Sequence, residues 1–144
     1  MRTFLLLIVI FTTSAIQAQD WETNWQQATE KAKKADHNMI LVFSGSDWCG
    51  PCIKLDKSIW QSTEFQKYAK NHWIMVRADF PRKKGNKLPE DQATENAKLA
   101  EKYNQNGYFP LVLVLSPEGK VLGTTGYKNI SVKEYIDLLK KFEG

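Results

Sequence analysis

The two cysteines of this 144-residue chain stand in the run Trp48-Cys49-Gly50-Pro51-Cys52, and that spacing limits what can hold its fold together. A bridge that closes about four residues removes little entropy from the unfolded chain, roughly 2 kcal/mol against about 3 for a fifteen-residue loop. As a staple it is poor, so the chain must fold on a hydrophobic core. The same spacing suits chemistry. Pro51 fits a first helical turn, where its missing N–H is no loss, which puts Cys49 at a helix N-terminus. There, unpaired backbone N–H groups and the positive end of the helix dipole stabilise a thiolate, the attacking species in disulfide exchange. Cys49 is the natural nucleophile. Cys52, one turn further in, can attack a mixed disulfide at Cys49 and release the reduced substrate, which completes a two-electron site with no other cofactor.

Metal and haem readings of the pair fare worse. A zinc site would need His37 and His72, the only histidines, and they lack the close spacing of ligand pairs, so no metal is expected. Covalent haem requires a histidine directly after the second cysteine, and position 53 is isoleucine.

The N-terminus carries Arg2, the apolar run Phe4 to Phe11, and small or polar residues through Gln19. The run is shorter than the roughly 20 residues needed to span a bilayer, so residues 1–18 read as a secretory signal peptide cleaved after Ala18 or Gln19. An uncleaved anchor or a buried first strand is the other reading. The product expected is a soluble exported domain over residues 20–144, periplasmic if the source is Gram-negative. Loss of Arg2 with the leader lowers the formal charge from +4 to +3, leaving 19 basic against 16 acidic residues. That is too mild to imply nucleic acid. The full sequence is 42% hydrophobic and 25% charged, and the residues left after the leader are enough to bury one core without staples, which leaves the cysteine pair free for chemistry.

Periodicity predicts a helix from Trp21 to about Lys34, then a buried strand over Met39–Phe43. A helix from Pro51 to Trp60 follows the cysteine motif, and Ser62 caps a further segment to Asn71. Trp73–Ala78 reads as a strand. Phe80 to Glu90 is a basic loop with Arg82, Lys83, Lys84 and Lys87 among turn residues. It reads as a solvated loop, with a docking patch for an acidic partner or membrane surface as the alternative. Asp91 to Tyr103 reads as helix. Leu111–Leu115 and Val121–Thr125 form a hairpin about Ser116-Pro117-Glu118-Gly119, and a Ser131/Glu134 capping box opens the last helix. The order predicts an α/β fold, a central mixed sheet with helices on both faces.

On these residues the chain resembles the thioredoxin superfamily over essentially its whole expected mature region. Trp48-Cys49-Gly50-Pro51-Cys52 is the motif of thioredoxins proper. The wider run Ser44 to Cys49, followed by Lys54-Leu55-Asp56-Lys57, is more similar to exported thioredoxin-like proteins. The resemblance implies a cis proline opposite the dithiol, at Pro110, with the backbone there pairing to an extended substrate segment. It implies that Phe109 contacts substrate and that Trp48 packs under the active-site loop and shields it. It also implies that Gly50 and Pro51 lie in the contact surface, and that Gly126 leaves room beside the dithiol. Trp21, Trp25, Trp60 and Trp73 read as core.

Two departures concern proton handling at Cys52. The buried aspartate of thioredoxins falls at Phe43, and the lysine that pairs with it falls at Met75. Loss of both together is coherent, since either charge left buried alone would cost about 3–5 kcal/mol. Asp47, Lys54 or water would then serve, unless both residues are plain surface charges. The resemblance implies a thiol–disulfide oxidoreductase, acting as a monomer on disulfide-containing exported proteins and supplied with electrons by a membrane thiol reductase. Gly-Pro between the cysteines favours reduction. An oxidase or isomerase, or a non-catalytic peptide-binding module with a permanently oxidised pair, are the alternatives.

Overall fold

The computed structural model describes residues 19–144, so the leader expected over residues 1–18 lies outside the described residues. Four strands, β1 (Asn38–Ser44), β2 (Trp73–Asp79), β3 (Leu111–Leu115) and β4 (Val121–Thr125), form one sheet in the order β2-β1-β3-β4. β1 runs parallel to β2 and antiparallel to β3, which pairs antiparallel with β4. The sheet is therefore mixed, and β1, paired on both sides, is the apolar strand that delivers the chain to the cysteines.

Alternation along the strands sends side chains to two separate cores. Ile40, Val42, Met75, Val112 and Val114 face one side, where they meet α2 (Gly50–Leu55), α3 (Thr63–His72) and α5 (Val132–Lys141) through Leu55, Phe65 and Leu139. Met39, Leu41, Phe43, Val76 and Leu113 face the other, against Ala28 and Ala32 of α1 (Trp25–Ala35) and Leu99 of α4 (Glu90–Tyr103). Helices thus cover both faces, as the sequence predicts.

Caps follow from local chemistry. The Ser62 hydroxyl accepts from the Phe65 N–H at 3.2 Å, and the Ser131/Glu134 capping box is complete. Gly119, at the hairpin turn, takes φ 85°, and a Cβ there would lie 2.8 Å from the Tyr103 hydroxyl oxygen. Only glycine suits both.

Two boundaries differ from the sequence expectation. The first helix begins at Trp25, where Asn24 caps it, rather than at Trp21. β2 is an edge strand, and the residues before α1 cover that edge: the Glu22 N–H donates to the Met75 carbonyl (2.8 Å) and its carbonyl accepts from the Arg77 N–H (2.9 Å). Satisfying an exposed strand edge outweighs one further helical turn. Trp21 then stands edge-on to Trp60 at 6.0 Å, with the Arg77 guanidinium 4.0 Å over its ring. The helix after the motif is α-helical only to Leu55 and continues as a π-helical turn over Asp56–Trp60. Trp60 and Trp73 are buried in the core; Trp21 and Trp25 are half-buried against it.

Candidate active site

Cys49 is the N-cap residue of α2, with extended backbone (φ −90°, ψ 103°), and Pro51 lies in the first turn as the sequence predicts. The Cys49 Sγ accepts from the Cys52 N–H at 3.3 Å. Cys49 and Cys52 are joined as a disulfide with a Cα–Cα separation of 5.2 Å. Both are nearly enclosed, at 5% and 3% exposure, so accessibility does not separate their roles. The helix cap does. The Cys49 sulfur sits where α2 presents a free N–H, whereas the Cys52 sulfur accepts from the Gly45 N–H at 3.5 Å, in the loop that leaves β1. Gly50 and Pro51 between them are exposed.

Trp48 is held on three sides. Its Nε1 donates to the Phe80 carbonyl at 2.7 Å, its ring meets Phe109 edge-on at 5.4 Å, and the Arg82 guanidinium lies 3.6 Å above the ring centroid. The indole also rests against Gly45, where a Cβ would come within 2.4 Å of the ring. Phe80 in turn packs on Phe109 (5.5 Å) and Phe43 (6.4 Å). An aromatic chain therefore runs from the motif to the segment before β3. The sequence alone does not identify Gly45, Phe80 and Arg82 as partners of Trp48. The short Gly45-to-Trp48 spacing was the one available signal, because a tight turn there folds the indole back on the glycine.

The Phe109–Pro110 peptide bond is cis, and both residues are half-buried at the entry to β3. Gly126 follows β4 beside them, but its role differs from the expectation. A Cβ on Gly126 would lie 3.2 Å from the Pro110 carbonyl oxygen and within 4 Å of neither sulfur, so the space it leaves belongs to the Pro110 backbone. The Gly126 carbonyl accepts from the Tyr135 hydroxyl at 2.8 Å, which ties this edge of the site to α5. Tyr135 is fully buried, and that burial pushes its phenol well above the usual tyrosine range.

The departures at Phe43 and Met75 resolve differently from the sequence argument. Phe43 pairs with Ala78 and Met75 with Ile40, so the two side chains lie on opposite faces of the sheet and in separate cores. They are not partners. Lys54 is exposed. Asp47 directs its carboxylate to the basic loop, accepting from the N–H groups of Arg82 and Lys83 and the side-chain amide of Asn86, each at 3.0 Å. The Arg82 N–H is the largest of several influences that hold this carboxyl below the usual aspartate range.

Comparison with known proteins places the chain in a family. A sequence profile described as thioredoxin-like matches residues 20–117. The disulfide bond reductase DsbH of Chlamydia pneumoniae is 38% identical over 120 residues, covering 83% of this chain and 70% of that protein. The thioredoxin-related protein DsbJ of the same organism is 30% identical over 131 residues, covering 88% of this chain but only 37% of DsbJ. A solved structure of a DsbH oxidoreductase has a TM-score of 0.80 at 33% identity, covering 97% of this chain and 94% of that one.

Proposed function

Because this chain belongs to the thioredoxin-like family and is a protein-disulfide oxidoreductase, we propose that it works as a reductase of disulfides in other exported proteins, with Cys49 attacking and Cys52 resolving. The observation that carries the assignment of roles is the cap: Cys49 Sγ receives the Cys52 N–H at the start of α2, where a thiolate is stabilised. The relative named a disulfide bond reductase and the Gly-Pro spacer both favour reduction over oxidation.

The reaction balances through two exchanges. The Cys49 thiolate attacks one sulfur of the substrate disulfide; the second substrate sulfur leaves as a thiolate and takes a proton from water. Cys52 then loses its proton and attacks the Cys49 sulfur, which closes the Cys49–Cys52 bond and releases the first substrate sulfur as a thiolate. The substrate gains two electrons and the protein's pair loses them. That pair is the only redox group the reaction needs. An exported reductant must be recharged, so a membrane thiol reductase is the implied donor. Residues 1–18 would serve as the leader, and among the described residues no helix is long and apolar enough to cross a membrane.

Phe109 and Pro110 would line the site for an extended substrate segment, with Trp48, Gly50, Pro51 and Gly126 bounding it. Trapping tests the roles. Cys52→Ser should accumulate mixed disulfides with exported proteins and Cys49→Ser should not; equal trapping by both would remove the assignment. Equilibration with glutathione buffers tests the direction. A potential near about −270 mV fits a reductant, one near about −120 mV an oxidant, and one below about −300 mV an inert bridge.

A further inference from the structure

The connection between β2 and α4 carries Arg82, Lys83, Lys84 and Lys87, all exposed, and among the described residues none of the four forms an ion pair. Sequence alone leaves such a loop between a solvated surface and a docking patch. Its attachment decides between them. Asp47 accepts three hydrogen bonds from Arg82, Lys83 and Asn86, and Trp48 carries the Arg82 guanidinium on its ring while bonding the Phe80 carbonyl. Residues 47 and 48 are the two that immediately precede Cys49. The loop is thus fastened to the cysteine motif itself: the Asp47 carboxylate hydrogen-bonds the loop's backbone and one amide, and it feels the Lys83 charge without forming an ion pair with it.

Cations carried on a backbone anchored beside a reactive centre act on whatever approaches it. At physiological salt their field reaches about 8 Å, enough to cover the residues that flank a disulfide entering the site. We propose that the loop of residues 82–87 is a substrate-selecting lip that favours disulfides flanked by aspartate or glutamate. This rests on the disulfide-reductase reading and adds to it the charge class of the substrate. An acidic polypeptide is the occupant favoured over an anionic lipid surface, because a bilayer seated on a lip joined to residues 47 and 48 would lie across the dithiol.

The test compares three substrates of the reduced protein: two peptides with the same disulfide, flanked by glutamates in one and lysines in the other, and a small uncharged disulfide as reference. At low ionic strength kcat/KM should favour the acidic peptide by about tenfold or more, and the preference should collapse in high salt. In the variant K83Q/K84Q/K87Q the ratio of the two peptide rates should fall to within about twofold of unity, with the reference rate retained. Reduction of all three substrates without charge preference, or a preference the triple variant keeps, would overturn the selecting lip and leave the reductase intact. Binding to phosphatidylglycerol vesicles that the triple variant loses, without any preference among peptides, would overturn it in favour of a lipid surface. No reduction even of the small disulfide would reject the reductase reading and the lip with it.

Discussion

The indole Nε1 of Trp48 donates a 2.7 Å hydrogen bond to the carbonyl of Phe80, which ties the residue before Cys49 to the chain leaving β2. The bond links the active-site loop to a segment outside β1. It also gives Trp48 a role beyond filling space. Trp48→Phe keeps an aromatic ring against Phe109 but removes the donor, so the oxidised protein should lose about 1 kcal/mol of unfolding free energy. Urea denaturation measures this; an unchanged midpoint would mean that water satisfies Phe80 equally well.

Phe43 and Met75 lie on opposite faces of the sheet, so an acid at one and a lysine at the other cannot meet. Phe43→Asp removes a buried ring and introduces a carboxyl among Met39, Leu41, Val76 and Phe80, at a cost of about 4 kcal/mol. Adding Met75→Lys should deepen the loss, with a coupling energy below about 0.5 kcal/mol in a double-mutant cycle. Recovery by more than about 1 kcal/mol would contradict the observed strand register.

The Asp47 carboxyl titrates below its ordinary range because it accepts from Arg82, Asn86 and Lys83. A depressed folded-state value means that its contribution is fully present above the unfolded value, about 3.9, and is lost as pH falls through the lower folded value. The amide protons of Arg82 and Lys83 should therefore shift together in an NMR titration between about pH 5 and pH 2, with a midpoint under about 3.9. Asp47→Asn should abolish that step. A midpoint at or above the unperturbed value would show that these hydrogen bonds do not persist in solution.

Burial raises the Tyr135 phenol, and its hydroxyl bonds the Gly126 carbonyl beside Pro110. In an alkaline absorbance titration Tyr135 should be the last phenol to ionise, and Tyr135→Phe should delete that phase. Because the folded value lies above the unfolded one, the stability tied to the neutral phenol is complete below about pH 10 and is lost as pH rises further. Removing the hydroxyl should cost about 1 kcal/mol in denaturant unfolding at neutral pH. Ionisation of all phenols in one step would place Tyr135 in contact with water.

Features carried by neighbours along the chain are legible without the tertiary fold. The apolar run through Val42 is long and continuous enough to be a doubly covered strand; Pro51 can occupy only a first helical turn; Ser131 and Glu134 can satisfy each other's backbone donors. These are local consequences of period, fixed φ and hydrogen-bond chemistry, and they put Cys49 at its helix cap independently of packing. Tertiary structure alone decided which of these pieces touch. Glu22 left the helical pattern because the edge of β2 offered unpaired backbone groups, and only the sheet order creates that edge. Met75 was separated from Phe43 because pairing register assigns each residue to one face, and a shift of one residue would reverse it. Asp47 found the basic loop, and Arg82 found Trp48, across more than thirty residues of chain. No local periodicity encodes such contacts, since their energy exists only once two distant segments have been brought together.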